Sequence, residues 1–169
     1  MILHTLINEN ALKNRIKELA QQIQNDFKNE EIIIICILKG SIFFTTELAK
    51  NISSSIILDF MKVSSYNGTQ STGKLNFSLD ISQNIKNKNV IIVEDIIDTG
   101  RTLYYLKKYF NEKSPKALKI CTLLDKKERR EFNIEPDYTG FDIPDKFVVG
   151  FGLDYNEKYR NLPFIGYLE

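Results

Sequence analysis

Apolar residues along the chain follow two spacings. Leu12, Ile16, Leu19, Ala20, Ile23 and Phe27 recur every three or four positions, the spacing of one buried face of a helix. Asn8 stands where a side-chain oxygen can cap that helix. Four other runs, Ile32–Leu38, Ile56–Val63, Val90–Val93 and Ala117–Leu124, are rich in β-branched residues and read as strands. The first is apolar throughout, as in a central strand buried on both faces. Ile42–Lys50 and Leu103–Phe110 read as helices, the second broken at Ser114-Pro115. Strands alternating with helices predict an α/β fold with a largely parallel central sheet flanked by helices. After Val63 the pattern is lost. Residues 64–80 are polar and rich in small side chains, which predicts a mobile lid loop over an active site.

Composition narrows the class. A chain of 169 residues fits a single domain with a substantial core. Its 43% hydrophobic and 27% charged residues describe a soluble globular protein. A formal net charge of +1 gives no case for nucleic acid or a membrane surface as partner. No apolar run approaches the length of a membrane span, and the first residues lack the pattern of a signal peptide, so a cytoplasmic protein is expected. Cys36 and Cys121 each sit inside an apolar run and are expected as reduced core residues. His4 lies near an end expected to fray and is given no role.

The chemistry concentrates at Asn89–Leu103. Val90–Val93 runs into two adjacent carboxylates, Glu94 and Asp95, and Asp98-Thr99-Gly100-Arg101-Thr102 then opens a helix. Ligands of open α/β sheets sit beyond the carboxyl ends of the strands, and a helix N-terminus favours an anion. Thr99, Gly100 and Thr102 offer hydroxyls, backbone donors and a close backbone approach to a phosphate monoester. The same donors repel carboxylates, so Glu94 and Asp95 are expected to face sugar hydroxyls or a hydrated Mg2+. Asp98, between the two subsites, could take a proton from a base joined to the sugar. Taken alone, the Glu-Asp pair reads equally well as an acidic strand end before an ordinary helix cap. Gly68–Lys74 matches the start of a nucleotide-binding GxxxxGK[ST] loop, but Leu75 replaces the hydroxyl. The alternation after it suits a strand where that loop needs a helix, so this motif is rejected.

Val-Glu-Asp-Ile-Ile-Asp-Thr-Gly-Arg-Thr at 93–102 resembles the phosphoribosyl-diphosphate motif of type I phosphoribosyltransferases, in its hypoxanthine-guanine version. The likeness runs from Ile32 to Arg160. Leu38-Lys39-Gly40 is similar to the family's diphosphate loop, which often holds a non-proline cis peptide. Ser65-Tyr66 matches the Ser-Tyr of its closing lid. Lys126 matches the lysine that recognises the purine. An ammonium only donates, which suits a 6-oxo group and rejects the 6-amino group of adenine. Standing alone, its segment Asp-Lys-Lys-Glu-Arg-Arg reads as a solvated basic turn. Lys146-Phe147-Val148 resembles the purine-binding edge, with Phe147 stacking on the base and the Val148 carbonyl accepting from it. Asp154 resembles the family's second Mg2+ contact at that edge, and Arg160 its diphosphate contact. Ser41 and Arg101 stand where some members carry Gly and Lys.

The resemblance implies the type I phosphoribosyltransferase fold, with a small purine-binding hood from about residues 125–169 that the N-terminus could join. It implies Mg2+-dependent transfer of the phosphoribosyl group from phosphoribosyl diphosphate to hypoxanthine or guanine. Asp98 would be the catalytic base. Glu94, Asp95, Asp98, Thr99, Gly100, Arg101 and Thr102 would hold the phosphoribosyl group, Lys39, Gly40 and Arg160 the diphosphate, and Glu94, Asp95 and Asp154 the metal. A homodimer or homotetramer is expected. A xanthine-preferring enzyme and a non-catalytic sensor of phosphoribosyl diphosphate remain open.

Overall fold

The computed structural model describes residues 1–65 and 74–169. Helix α1 (Glu9–Asp26) starts where Asn8 accepts a hydrogen bond from the Ala11 N–H at 2.8 Å, and its Leu12, Ile16, Leu19, Ala20 and Ile23 are buried. Strand β2 (Ile32–Ile37) is buried at every position. Beside it lie β3 (Ile56–Ser65), β4 (Leu75–Leu79), β5 (Asn89–Ile97), β6 (Ala117–Asp125) and β7 (Tyr138–Asp142), giving the order β4-β3-β2-β5-β6-β7. Only β4 runs antiparallel to its neighbour.

Both faces of the sheet are covered, as the apolar runs require. Helices α1 and α2 (Ile42–Lys50) pack on the face bearing Ile32, Ile34, Ile91 and Val93. Helix α3 (Arg101–Asn111) packs Leu103, Leu106 and Phe110 against Ile33, Ile35, Val90 and Ile92. Each such isoleucine contributes about 1.5–3 kcal/mol by leaving water, so the sheet is the rigid base on which its loops stand. Cys36 and Cys121 are free thiols within this core, and burial pushes Cys121 far up from its ordinary value.

The chain leaves β2 for β3 and β4, then returns to the opposite side of β2 to form β5. The strand order therefore reverses between β2 and β5, and a crevice opens at their carboxyl ends. One expectation is corrected here: the strand does not stop before the acidic pair. Pairing of β5 with β2 ends at Cys36↔Val93, whereas pairing with β6 continues to Ile97↔Asp125. Glu94 and Asp95 are therefore strand residues that lie beyond the pairing with β2.

The C-terminal segment divides. Tyr138–Asp142 joins the main sheet as β7, while β8 (Val148–Val149) and β9 (Ile165–Leu168) pair with β1 (Leu3–Ile7) in a separate sheet of order β1-β9-β8. The first residues are not frayed. Ile2 N donates to the Glu169 carbonyl at 2.6 Å, and His4 stacks on Tyr167 with ring centroids 5.1 Å apart. Of the segment 64–80 expected as a lid loop, Ser64 and Ser65 close β3 and Leu75–Leu79 is β4, while residues 66–73 lie outside the described residues. A strand after Leu75 also agrees with rejecting the nucleotide-binding loop. Tyr66 lies outside the described residues.

Candidate active site

A cavity of about 350 Å³ fills the crevice between β2 and β5. Its walls are the turn after β2, the end of β5, the first turn of α3, and Asp154 with Arg160. The Leu38–Lys39 peptide is cis. The Asp95 carboxylate folds back on this turn: Oδ1 accepts from the Ile96 N–H at 2.7 Å, and Oδ2 lies 1.7 Å from where a Cβ on Gly40 would stand. A side chain at Gly40 would therefore displace the Asp95 carboxylate from its present position. Gly152, at φ +104°, supports the turn from behind, and a Cβ there would come within 2.0 Å of the Gly40 carbonyl oxygen. Burial pushes the Glu94 carboxyl well above the usual carboxylate range, and the charge of Asp95 adds to the effect. Burial also raises Asp95, against the opposing pull of hydrogen bonds and the Arg160 charge. Two crowded carboxylates held this way favour a cation.

Gly100 takes φ +83° immediately before α3, a conformation that suits glycine. The Thr99 carbonyl is fixed by the Glu131 and Phe132 N–H groups at 3.0 and 3.1 Å. Thr99 Oγ1 accepts from Arg101 N at 3.3 Å, and Gly100, Arg101, Thr102 and Leu103 at the start of α3 line the cavity, where a helix N-terminus leaves N–H groups without intrahelical partners. Thr102 reaches Ser65 at 3.5 Å, so the end of β3 touches the start of α3. The Arg101 guanidinium lies 5.6 Å from the centre of the Phe132 ring.

On the opposite wall, Arg160 donates to the Gly152 carbonyl at 2.7 Å and pairs with Asp154 and Glu157, each at 3.1 Å. Asp154 Oδ2 accepts from Glu157 N at 2.9 Å. Lys39 pairs with Glu157 at 2.7 Å, so one exposed glutamate joins the turn after β2 to Arg160. The two cations hold the Glu157 carboxyl below its ordinary range, Lys39 most strongly.

Lys126 follows directly on β6 and is 8% exposed; its N–H donates to the Ile97 carbonyl at 2.9 Å. Its ammonium lies 3.7 Å from Asp145, Arg129 reaches Asp145 at 3.4 Å, and the Arg129 Nε donates to Asp98 Oδ1 at 3.1 Å. This chain joins the expected purine reader to the expected base. Phe147 is 56% exposed with its ring 5.7 Å from Tyr155, and Val148 is buried in β8. Lys146 is not drawn into this group. Its ammonium sits 3.5 Å from the Tyr167 ring centre and 3.9 Å from Glu169, because the paired ends of the chain supply an aromatic face and a carboxylate there.

Residues 5–156 match the model of the phosphoribosyl transferase domain. The chain is also 50% identical over 165 residues to the hypoxanthine-guanine phosphoribosyltransferase of Streptococcus pneumoniae, covering 97% of this chain and 92% of that protein. The chain belongs to the phosphoribosyltransferase family. Solved structures agree. A hypoxanthine-guanine phosphoribosyltransferase from Bacillus anthracis superposes with a TM-score of 0.94 at 53% identity, covering 98% of both chains. A hypoxanthine phosphoribosyltransferase from Staphylococcus aureus gives 0.94 at 45% identity, covering 98% of this chain and 91% of that one. The fold is the type I phosphoribosyltransferase fold expected from the motifs.

Within this phosphoribosyltransferase, four residues close to the site escaped the sequence reading: Arg129, Asp145, Gly152 and Glu157. Arg129 lay in a charge run that reads as a solvated turn. Asp145 and Glu157 meet their partners only through the fold. Gly152 carried a signal, a glycine between two bulky residues, which marks a close backbone approach.

Proposed function

We propose that this chain transfers the 5-phosphoribosyl group of phosphoribosyl diphosphate to hypoxanthine or guanine, releasing diphosphate and forming IMP or GMP. The observation that supports this reading most is that Asp98 lines the cavity beside Thr99–Thr102 and is linked through Arg129 and Asp145 to Lys126. The nest at the start of α3 holds the 5′-phosphate through Thr99, Gly100, Arg101 and Thr102. The Lys39–Gly40 turn and Arg160 hold the diphosphate. Lys126 donates to the 6-oxo oxygen, Phe147 stacks on the ring, and the Val148 carbonyl accepts from the base. Purine N9 forms the bond to C1′ as the C1′–oxygen bond breaks, its electron pair leaving with diphosphate. The N7 proton passes to the Asp98 carboxylate.

The donor set fits Mg2+. Glu94 and Asp95 offer hard oxygens at a site that favours a cation, and this ion is commonly held by one or two carboxylates together with substrate phosphates. Among the described residues no three His, Cys, Asp or Glu side chains are grouped so as to hold a metal ion by themselves. Both Asp154 oxygens already have protein partners, so Asp154 would contribute through a remaining lone pair. When bound, Mg2+ offsets charge on the departing diphosphate.

Two further features belong to this reading. Leu58 and Phe60 on β3 and Phe43 on α2 are exposed at 40, 37 and 41%, and such apolar surface suits a homodimer or homotetramer. Free buried cysteines suit the reducing cytoplasm, and among the described residues no helix is long and apolar enough to cross a membrane.

The test is a spectrophotometric assay with phosphoribosyl diphosphate and Mg2+, offering hypoxanthine, guanine, xanthine and adenine separately. Turnover of hypoxanthine and guanine without adenine is expected. Preference for xanthine would change the substrate assignment. Binding of phosphoribosyl diphosphate with no turnover of any base would replace the enzyme by a sensor.

A further inference from the structure

The ion pairs on the purine side carry more than stability. Arg129 sits on a short 3-10 turn, Lys127–Arg129, and is fixed from two directions, by Asp98 through Nε at 3.1 Å and by Asp145 through Nη1 at 3.4 Å. Both partners and Arg129 itself are close to half exposed. Pairs of that exposure contribute about 0–1 kcal/mol to folding, so stability gives little reason for a guanidinium here. Its location gives a better one. Arg129 engages only Oδ1 of Asp98 and leaves Oδ2 for a substrate proton. A carboxylate on a loop end otherwise rotates freely about its side-chain bonds, and a base is effective only when its accepting atom is held in line with the proton. Asp145 steadies the guanidinium and approaches Lys126 at 3.7 Å, so the proton acceptor and the donor to the 6-oxo group share one framework.

We propose that Arg129 is a positioning residue for the reaction, holding the Asp98 carboxylate so that Oδ2 meets the purine N7 proton, with Asp145 fixing Arg129 and coupling it to Lys126. This rests on the assignment of Asp98 as the base. A third group that orients a base is a recurrent arrangement in proton-transfer sites. A guanidinium suits the task because its flat array of donors can bridge two carboxylates, which a single ammonium does less well.

The experiment measures single-turnover rates of hypoxanthine conversion by the wild-type protein, Arg129→Gln, Arg129→Lys, Asp98→Asn and the Asp98→Asn/Arg129→Gln pair, together with KM for phosphoribosyl diphosphate and the melting temperature. Arg129→Gln is expected to lower the rate by about tenfold or more, with KM for phosphoribosyl diphosphate and the melting temperature unchanged. Arg129→Lys should recover part of the loss. In the Asp98→Asn background Arg129→Gln should cost little further, because groups acting as a unit are not additive. A single-turnover rate for Arg129→Gln within about twofold of wild type overturns the proposal, as does an equal loss in both backgrounds. An inactive wild-type protein would instead overturn the functional reading beneath it.

Discussion

Replacing Gly152 by alanine probes how the diphosphate turn is held. Gly152 has φ +104°, where an L side chain is strained by about 1–3 kcal/mol. Its new Cβ would stand 2.0 Å from the Gly40 carbonyl oxygen and 3.1 Å from the carbonyl carbon. Both are backbone atoms, so relief requires the turn itself to move, at an overpacking cost of about 1–3 kcal/mol. Together the effects predict a loss of about 2–6 kcal/mol, read as a fall of about 1–3 M in the urea midpoint. The displaced turn should also raise KM for phosphoribosyl diphosphate by about tenfold or more. Gly40→Ala is the informative control. Its clash is the closer one, 1.7 Å, but the atom met is the tip of Asp95, and Gly40 has no left-handed φ. Asp95 can swing away, giving up its bond to Ile96 N for about 1.5–3 kcal/mol. Gly152→Ala should therefore be the less stable of the two. A Gly152→Ala protein within about 0.5 kcal/mol of wild type, with KM unchanged, would refute the reasoning.

Other outcomes follow from the same geometry. Lys126→Gln should raise KM for hypoxanthine and guanine by about tenfold or more, the value of a charged hydrogen bond, while KM for phosphoribosyl diphosphate stays put in the same assay. An unchanged purine KM would remove Lys126 as the reader of position 6. Glu94 predicts a pH dependence. Its carboxyl is raised in the folded protein, so the folded state holds the proton more tightly and stability falls as pH rises from the ordinary 4.5 towards the raised value. Without ligand, Glu94→Gln should melt above wild type at about pH 8, and the gap should close towards about pH 4.5. A gap that is constant or reversed across a melting series would contradict the burial effect.

The legible parts of this protein are those in which neighbours in sequence act together. Asn8 and the Leu12–Phe27 spacing specify α1 locally, and the apolar run at Ile32 specifies a strand covered on both faces. Strand, acidic pair, glycine and helix start are consecutive at 89–103, so the nest could be read without knowing the fold. The extent of β5 could not. Whether Glu94 and Asp95 end a strand or continue it depends on β6 staying paired with β5 after the pairing with β2 has ended. Side-chain pairs across the fold were equally hidden. Lys39 meets Glu157 across 118 positions and Arg129 meets Asp98 across 31, and exposed charges have many possible partners until the backbone is placed. Lys146 shows the converse: its neighbour Phe147 is exposed, but its own ammonium is captured by Tyr167 and Glu169. Adjacent residues at a strand entrance point opposite ways.

In the proposed reaction Asp98 accepts the purine N7 proton. The most direct test is the single-turnover rate of Asp98→Asn with hypoxanthine, measured beside the Kd of phosphoribosyl diphosphate. An amide keeps the size of the side chain and cannot take the proton, so the rate should fall by about 10²–10⁴-fold with Kd unchanged. A rate near that of wild type would contradict the account.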